Sequence, residues 1–465
     1  MSKVLFVYPN KEGYPIIPLG ISIIAGVLKH SGHAVDVFDI TFMMKERIDQ
    51  KAREKTGVVK KVDVEKYWGR GDNVDVEDEF RKKILSFHPD IIAFSIVENN
   101  YGCARWMFNI AKKTSNALMV VGGTFPTVAP DFFINDNNVD VICCGEGEDA
   151  MQELAQKIDS RQDISHIPNL IIKKEGNIFK NAFRPYYQWD PLIFQEWGIF
   201  DKRHLLKPFM GKMWKTGFFE MSRGCPFRCT YCANRVYQRI FQCLGKYRRE
   251  KPIESAISEI EYMKKKYNLE LVFFNDEHFL LMSPERFNEF CAKYSTRVAL
   301  PFFIQTRAEN LLNEEWVRRL KEVGCITVGI GVESGNEKIR KELLDKMIPN
   351  AVYEKAFANC RKFKIRTTAY VMIGLPFETE EDILMTAEFC KKLNAESIAI
   401  SIFAPYYGTE LRDVCVNNRF MEDRYYENIS VNDASILKMP QLSKERLGEL
   451  YYNFNEIVYG KNNAL

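Results

Sequence analysis

The sequence predicts an α/β protein with an N-terminal doubly wound parallel sheet followed by a partial (β/α)6 barrel. Short apolar runs alternate with amphipathic helical segments along most of the 465 residues. Such alternation is typical of parallel sheets that are covered by helices. It is interrupted at residues 161–214, which are rich in proline and aromatic residues and carry no long periodic segment. The interruption predicts a linker between two domains.

The composition excludes several classes of protein. A hydrophobic fraction of 46% is enough to build a large core. The formal net charge of +3, from 65 Lys plus Arg against 62 Asp plus Glu, is too small to predict a nucleic-acid partner. The sequence shows no secretory leader and no run of about 18 apolar residues, so we expect a cytoplasmic protein without a transmembrane segment. The twelve cysteines are then expected to be reduced.

Residues 1–160 carry five short apolar runs and are predicted to form the doubly wound sheet. Helices are expected from about Leu19, Tyr101 and Glu148. The charged stretch 45–77 is predicted to be an insertion outside the core. Ligands of such sheets bind beyond the carboxyl ends of the strands, so the residues after each run are candidates. The runs span residues 3–8, 34–38, 91–95, 118–121 and 139–143.

Glycine-rich turns follow the last two of these runs. Taken singly, they are explained as tight turns. A dinucleotide site would need Gly-x-Gly-x-x-Gly after the first strand, which is absent, and the acidic turn 145–148 argues against a phosphate cradle. Together, the segments 18–20, 121–127 and 145–148 resemble the cobalamin-binding domain that precedes many radical S-adenosylmethionine (SAM) enzymes.

This resemblance implies a set of cobalamin-binding residues at the carboxyl ends of the strands. Many cobalamin-binding domains carry Asp-x-His-x-x-Gly, whose histidine binds cobalt from below. None of the six histidines of this chain has that context, so the resemblance implies a cobalt without a protein imidazole. The implied residues are Pro9, Asn10, Leu19, Gly20, Ser95, Val97, Glu98, Gly122, Gly123, Thr124, Gly145, Glu146 and Gly147.

Three cysteines, Cys225, Cys229 and Cys232, lie within eight residues with the spacing C-x3-C-x2-C. Soft thiolates on one short loop can bind one face of a metal centre and leave a position open. A structural zinc site would need a fourth ligand, for which Cys243 and His204 are candidates. A redox dithiol of the last two cysteines would leave the first unexplained. The spacing favours an iron-sulfur cluster.

With the aromatic Tyr231 before its last cysteine, this motif resembles the signature of radical SAM enzymes. In that family three cysteines hold a 4Fe-4S cluster, SAM chelates the open iron, and reduction of the cluster gives a 5′-deoxyadenosyl radical. The resemblance implies the same cofactors here, and an external reductant of the flavodoxin or ferredoxin type. The neighbouring Arg223 and Arg228 are expected to lower the pKa values of the thiols.

Residues 215–410 repeat the order β then α six times and predict the barrel, whose chemistry belongs at the carboxyl ends of its strands. His278, after the second strand, is either a proton donor or a packed side chain. Residues 411–465 are predicted to be a helical segment that closes the barrel. By resemblance, the SAM-binding residues are Tyr231, Asp276, Glu277, Gln305, Arg307, Glu333, Ser334, Gly374 and Ala404.

The combined resemblance implies a cobalamin-dependent radical SAM enzyme. It would methylate an unactivated carbon of a small molecule or natural-product intermediate, by means of the 5′-deoxyadenosyl radical and methylcobalamin. A non-methylating radical cyclisation, oxidation or rearrangement with the same cofactors is the alternative. An alternative of another class is a non-catalytic corrinoid-binding or metal-binding protein. No motif in the loops or the terminal segment identifies the substrate.

Overall fold

The protein is described from a computed structural model, in which the chain divides into two compact units. The first unit comprises Met1–Asp49, Asp63–Leu206 and Phe241–Gly245. The second comprises Gln50–Val62, Lys207–Ile240 and Lys246–Leu465. The structure describes residues 1–11, 13–43, 48–57, 61–69, 71, 74–427, 432 and 434–460.

Within the described residues, the first unit contains a sheet of seven strands in the order β2-β1-β3-β4-β5-β6-β7. Neighbouring strands from β2 to β5 are parallel, which confirms the predicted doubly wound sheet. The strands β6 and β7 form an antiparallel hairpin at its edge. The strands are β1 Lys3–Tyr8, β2 Ala34–Asp39, β3 Ile91–Ser95, β4 Leu118–Gly122, β5 Val141–Cys143, β6 Leu170–Lys174 and β7 Asn177–Lys180.

The strand order places the point of topological reversal between β1 and β3. In open parallel sheets the crevice outside the carboxyl ends of such strands is the usual ligand site. Asn10 lies just beyond β1, Ser95 ends β3, Gly122 ends β4 and Gly145 follows β5. The sequence-predicted residues of this unit therefore lie at one edge of the sheet.

The helices of the first half of the chain follow from local capping and apolar faces. For example, the Asp75 carboxylate accepts hydrogen bonds from the amides of Glu77 (2.9 Å) and Asp78 (3.3 Å) and begins α4. The helices are α1 Leu19–His30, α2 Ile48–Lys55, α3 Glu65–Trp68, α4 Val76–Phe87, α5 Tyr101–Thr114, α6 Thr124–Val128, α7 Asp131–Ile134 and α8 Glu148–Asp159.

The predicted insertion 45–77 is not wholly outside the core. Trp68 is fully buried, and its indole N–H donates to the carbonyl of Leu206 (2.9 Å). Residues 45–47, 58–60, 70 and 72–73 of this stretch lie outside the described residues. The many charged residues of this stretch hid the signal of Trp68, a large aromatic side chain that anchors the segment.

The second unit is built on a curled sheet in the order β16-β15-β14-β13-β12-β9-β8. Neighbouring strands from β9 to β16 in this order are parallel, which confirms the partial (β/α)6 barrel. A short antiparallel pair, β10 with β11, lies outside it. The strands are β8 Leu206–Phe209, β9 Lys212–Phe219, β10 Ser222–Arg223, β11 Arg249–Glu250, β12 Leu271–Phe274, β13 Phe302–Thr306, β14 Cys325–Glu333, β15 Arg366–Ile373 and β16 Ser397–Ile402.

Helices connect these strands, as the sequence pattern predicts. Thr379 and Asp382 form a capping box at the start of the helix Glu380–Leu393, since each side chain accepts a hydrogen bond from the backbone N–H of the other residue (2.9 and 3.3 Å). Among the described residues, no helix is both long enough and apolar enough to cross a membrane. The helices are α9 Ala233–Ile240, α10 Ile253–Tyr267, α11 Pro284–Lys293, α12 Glu314–Glu322, α13 Asn350–Lys362, α14 Glu380–Leu393, α15 Glu410–Asn417 and α16 Lys444–Tyr459.

Gly26 in α1 allows the backbone near Phe194 to pass over the helix. A Cβ atom at Gly26 would lie 2.1 Å from the Phe194 carbonyl oxygen. We expect Gly26→Ala to lower the free energy of unfolding of the apo-protein by about 1–3 kcal/mol, because backbone must move. Gly20→Ala, in the same helix and with no atom within 4 Å of its Cβ, should be neutral or stabilising. Urea denaturation of both variants tests this, and equal effects would contradict it.

Candidate active site

The cysteine loop begins at a fixed point of the barrel. The Asp276 carboxylate, just after β12, accepts hydrogen bonds from the Met221 amide (3.0 Å) and the Ser222 hydroxyl. The next turn needs Gly224, which has a φ of +84° and whose Cβ would lie 2.7 Å from the Tyr247 carbonyl oxygen. The predicted SAM-binding residue Asp276 therefore positions the start of the loop.

Hydrogen bonds between the loop and later parts of the chain fix the middle of the loop. The Gln238 amide donates to the carbonyls of Cys225 (2.7 Å) and Phe227 (2.9 Å). The Thr230 hydroxyl donates to the carbonyl of Leu343 (2.6 Å). Buried backbone carbonyls need such partners because they have lost water. These hydrogen bonds therefore fix the conformation of the loop.

The three cysteines are the thiol donors that the loop presents. Cys229 is buried, while Cys225 and Cys232 are partly exposed. Among the described residues, no group of three His, Cys, Asp or Glu side chains converges as one metal ion would require. Four zinc ligands must meet at about 2.0–2.3 Å from a single centre, whereas the ligands of a 4Fe-4S cluster bind separate iron atoms. The thiols still interact electrostatically with one another across the loop.

His204 and Cys243 are the two candidates for a fourth zinc ligand. His204 belongs to the first unit, where its Nε2 atom meets the Asp39 carboxylate. Cys243 also belongs to the first unit and is exposed. The loop itself supplies three thiols. This number fits a 4Fe-4S cluster in which one iron is left open to another ligand.

The expected lowering of the thiol pKa values is wrong for Cys225 and Cys232. Burial raises the pKa of the Cys225 thiol to about 11, and burial also raises the pKa of Cys232. Arg223 cannot offset this, because its guanidinium pairs with Glu220 at 2.7 Å, and Arg228 is exposed. Loss of water around the thiols outweighs the charges of neighbouring residues. Iron must therefore displace protons from these thiols when it binds.

Two predicted SAM-binding residues, Tyr231 and Glu333, are brought together. Burial and the nearby Glu333 carboxylate raise the pKa of the Tyr231 phenol. Glu333 ends β14 with a φ of +66° and forms an ion pair with Lys346 at 2.8 Å. The Lys346 ammonium also donates to the Gly331 carbonyl (2.6 Å).

Lys346 is a site residue that the sequence analysis missed. It is 4% exposed, and a buried ammonium needs a counter-ion such as Glu333. It lies thirteen residues beyond Glu333 in a segment without a strand pattern, so no local signal marked it. Its role follows only from the tertiary structure, which places its ammonium against the Glu333 carboxylate.

Other predicted residues at the barrel edge divide into exposed and packed groups. Glu277 and Gln305 are exposed. Ala404 is buried at the end of β16. Ser334 is fully buried, and its hydroxyl lies 3.3 Å from that of Thr386, so its contacts in this structure are internal.

Arg307 and His278 border the loop through the ring of Phe227. The Arg307 guanidinium lies 3.6 Å from the centre of that ring, and the His278 ring lies 5.7 Å from it. Burial, followed by the charges of Arg307 and Arg248, lowers the pKa of His278 to about 3. His278 is therefore neutral at pH 7, which favours the packed role over that of a proton donor.

Gly374 and Glu378 form a buried turn after β15. One carboxylate oxygen of Glu378 accepts hydrogen bonds from the amides of Gly374 (2.6 Å) and Leu375 (3.1 Å). Glu378 has no exposed surface, and burial raises its pKa to about 8. The carboxyl group is therefore largely protonated at neutral pH, and it shapes the turn that presents Gly374.

The candidate cobalamin residues surround the carboxyl edge of the first sheet. The Asn10 amide donates to the Tyr14 carbonyl (2.9 Å) and the Thr41 hydroxyl (3.0 Å). Gly123 has a φ of +106°, a conformation that favours glycine. Its carbonyl accepts from the Thr127 hydroxyl (2.8 Å), which in turn accepts from the Gly145 amide (3.0 Å).

The remaining candidates show a similar mixture of open and packed positions. Val97 is 43% exposed, and Gly20 has open space where a Cβ would be. The Glu146 carboxylate accepts from the Tyr187 amide (2.8 Å), which fixes the acidic turn. Pro9, Leu19, Ser95, Glu98, Gly122, Thr124 and Gly147 complete the set at the same edge.

The pKa of Glu378 gives a pH-dependent prediction. Because its pKa rises from 4.5 to about 8 on folding, the native protein binds a proton that the unfolded chain releases, and stability falls as pH rises between these values. Asp382 strengthens the shift. We expect the free energy of unfolding of Glu378→Gln, which keeps an oxygen acceptor, to depend less on pH in urea denaturation. It should exceed that of the wild type most at pH 8.

Glu381→Gln, at the exposed neighbouring carboxylate, is the control. Parallel curves for Glu378→Gln and the wild type would contradict the prediction.

Two family models match the chain, each over one of the predicted domains. The radical SAM superfamily model matches residues 219–390, which contain the cysteine loop and most of the barrel. The B12 binding domain model matches residues 61–155. The models match the cofactors that the sequence resemblance implies: a 4Fe-4S cluster, SAM and cobalamin.

Curated relatives share low identity over most of their length. The chain is 25% identical over 375 residues to "Uncharacterized methyltransferase PH0819" of Pyrococcus horikoshii, covering 80% of this chain and 79% of that one. It is 23% identical over 423 residues to the anaerobic magnesium-protoporphyrin IX monomethyl ester cyclase of Rubrivivax gelatinosus, covering 88% and 69%.

A similar solved structure is that of the radical SAM methyltransferase TsrM from Kitasatospora setae, with tryptophan substrate and a SAM analog bound. The TM-score is 0.68 at 17% identity, covering 98% of this chain and 83% of that one. TsrM has also been solved with cobalamin and a [4Fe-4S] cluster bound. The likeness shows a common fold. With its B12-binding and radical SAM domains, the chain belongs to the cobalamin-binding radical SAM enzymes.

Proposed function

We propose that this enzyme transfers a methyl group to a carbon atom of a small molecule. The observation that carries the proposal is the presence, in one chain, of a B12-binding domain and a radical SAM domain whose three cysteines are all present. Proteins named as methyltransferases are among those similar to this chain. The alignment with PH0819 spans four-fifths of this chain, so the likeness is not confined to one domain.

In this proposal Cys225, Cys229 and Cys232 hold the cluster. When bound, the cluster with SAM supplies a carbon-centred radical that abstracts hydrogen, and cobalamin supplies the transferable methyl group. Arg307 and Lys346 both carry positive charge close enough to influence the Cys229 thiolate. These cations offset the negative charge that three thiolates bring into a partly buried site.

The barrel edge offers a carboxylate and cations for SAM. The Glu333 carboxylate forms an ion pair with Lys346 and lies near the Tyr231 phenol. The ion pair fixes its orientation before a ligand arrives. A fixed carboxylate is suited to accept hydrogen bonds from ribose hydroxyls. Glu277 is exposed beside the cysteine loop and can accept from an ammonium group. Gly374 and Ala404 add small surfaces suited to a flat ring.

The first sheet offers glycine residues, which have no side chain, for contact with cobalamin. Gly20, Gly122, Gly123, Gly145 and Gly147 place little side-chain volume at the carboxyl edge, where a large macrocycle needs close approach. The loops that follow β1, β3, β4 and β5 contain no histidine in the sequence, so cobalt would receive no imidazole from them. Orientation of the corrinoid then depends on shape and on backbone hydrogen bonds.

We further propose that electrons come from an external flavodoxin-type or ferredoxin-type protein, and that nucleic acid is not a substrate. The near-neutral charge balance supports the second point. A second candidate function is a cyclisation without methyl transfer. It is favoured by one observation: the cyclase of Rubrivivax gelatinosus aligns with 88% of this chain.

The cluster assignment predicts the behaviour of alanine variants. We expect Cys225→Ala, Cys229→Ala and Cys232→Ala to lose the visible absorption of a 4Fe-4S cluster after anaerobic reconstitution, because one iron loses its thiolate. Reductive cleavage of SAM should fall to background, as measured by the release of 5′-deoxyadenosine. Cys243→Ala, which changes an exposed thiol, should retain both properties. Cleavage that persists in a loop variant would refute the site.

Methyl transfer and cyclisation predict different products. With methyl-deuterated SAM and a small-molecule extract of the host, methyl transfer should place the labelled methyl group in a product and release S-adenosylhomocysteine with 5′-deoxyadenosine. Cyclisation should release 5′-deoxyadenosine without S-adenosylhomocysteine. Mass spectrometry separates the two outcomes. The Cys229→Ala enzyme is the control for label that enters products through other enzymes.

A further inference from the structure

Asn234 lies two residues after the last cysteine and connects both ends of the cysteine loop. Its side-chain oxygen accepts hydrogen bonds from the Cys225 amide (3.3 Å) and from the Tyr247 hydroxyl (2.8 Å). Its side-chain nitrogen lies 3.7 Å from the Cys232 sulfur, within reach of an N–H···S hydrogen bond. One amide group thus contacts both the first and the third cysteine.

The partners determine which end of this amide is oxygen. A backbone N–H can only donate, so the group facing the Cys225 amide must be the acceptor. The Tyr247 hydroxyl donates to the same oxygen. The NH2 group therefore has to face the Cys232 sulfur, and its orientation is not free to reverse.

We propose that Asn234 is a positioning residue that raises the reduction potential of the cluster by donating a side-chain N–H···S hydrogen bond to the Cys232 sulfur. The inference rests on the proposed function, because it takes Cys232 as a cluster ligand. Hydrogen bonds to the sulfurs of an iron-sulfur cluster stabilise negative charge, and the reduced cluster carries one more electron than the oxidised one. The reduced form therefore gains more from these bonds, which eases the reduction on which SAM cleavage depends.

Gln238 provides a matched control on the same helix, α9. Its amide donates to the carbonyls of Cys225 and Phe227 but to no sulfur of the loop. A change at Gln238 loosens the same loop without removing an N–H···S bond. An effect that the Asn234 variants show and Gln238→Leu does not is then not explained by general loosening of the loop.

The test is a redox titration of the full-length protein after anaerobic reconstitution, followed by electron paramagnetic resonance at matched iron content. Asn234→Leu removes the side-chain donor without adding charge. At the wild-type midpoint we expect about a tenfold lower ratio of reduced to oxidised cluster, equivalent to about 59 mV for a one-electron couple. Gln238→Leu should stay within about threefold of the wild type.

A second variant protects the test against loss of structure. Asn234→Asp keeps the acceptors for the Cys225 amide and Tyr247 but lacks the N–H donors of the side chain, so its shift should have the same sign. An unchanged potential in both Asn234 variants, or an equal shift in Gln238→Leu, would overturn the inference alone. Loss of the cluster from both Asn234 variants would also overturn it, because Asn234 would then be needed for assembly. A wild-type protein that assembles no cluster would overturn the proposed function itself.

Discussion

Holding three thiols on one eight-residue loop is the constraint on which the barrel edge depends. Within the loop the Cys232 amide donates to the Cys229 carbonyl (3.1 Å), and other backbone groups withdrawn from water need partners elsewhere. Arg248 donates to the Gly224 carbonyl (3.2 Å) and to the Leu281 carbonyl (2.7 Å). Arg235 pairs with both Asp345 (2.9 Å) and Glu410 (2.6 Å). Elements as late in the chain as α15, which begins at Glu410, therefore help to fix the position of the cysteines.

The same requirement explains the charges buried behind the loop. Arg340 is fully buried, and its guanidinium donates to the carbonyls of Ser334 and Ile348 and to the Asn350 side chain. A buried charge is tolerated when hydrogen bonds replace its water. Glu378 shows the opposite case: within the described residues one of its carboxyl oxygens has no hydrogen-bond partner. Its raised pKa means that it lowers the cost of burial by retaining a proton.

The strands and the cysteine loop could be predicted because their signals are local. The run Leu271–Phe274 is wholly buried and apolar, and it forms β12. The sequence analysis missed the hairpin of β6 and β7, since β7 is largely exposed and alternates weakly. It also gave the thiol pKa shift the wrong sign, because it counted nearby arginines but could not count lost water. Desolvation depends on residues distant in sequence, as does the pairing of Lys346 with Glu333.

Glycines illustrate how a ligand-binding pattern and a packing requirement can coincide. A Cβ at Gly123 would lie 2.7 Å from the Ile96 carbonyl oxygen, and one at Gly147 would lie 2.9 Å from the side chain of Ile24. The Gly123 position demands glycine even before a ligand is considered, because the contact is with backbone and its φ is +106°. At Gly147 the contact is the end of a flexible side chain, which can move. Gly20 differs again, because among the described residues no atom of a neighbour lies within 4 Å of its Cβ position. Packing therefore explains Gly123 and leaves Gly20 unexplained, so an open position such as Gly20 carries more information about a bound macrocycle than the crowded turn at Gly123 does.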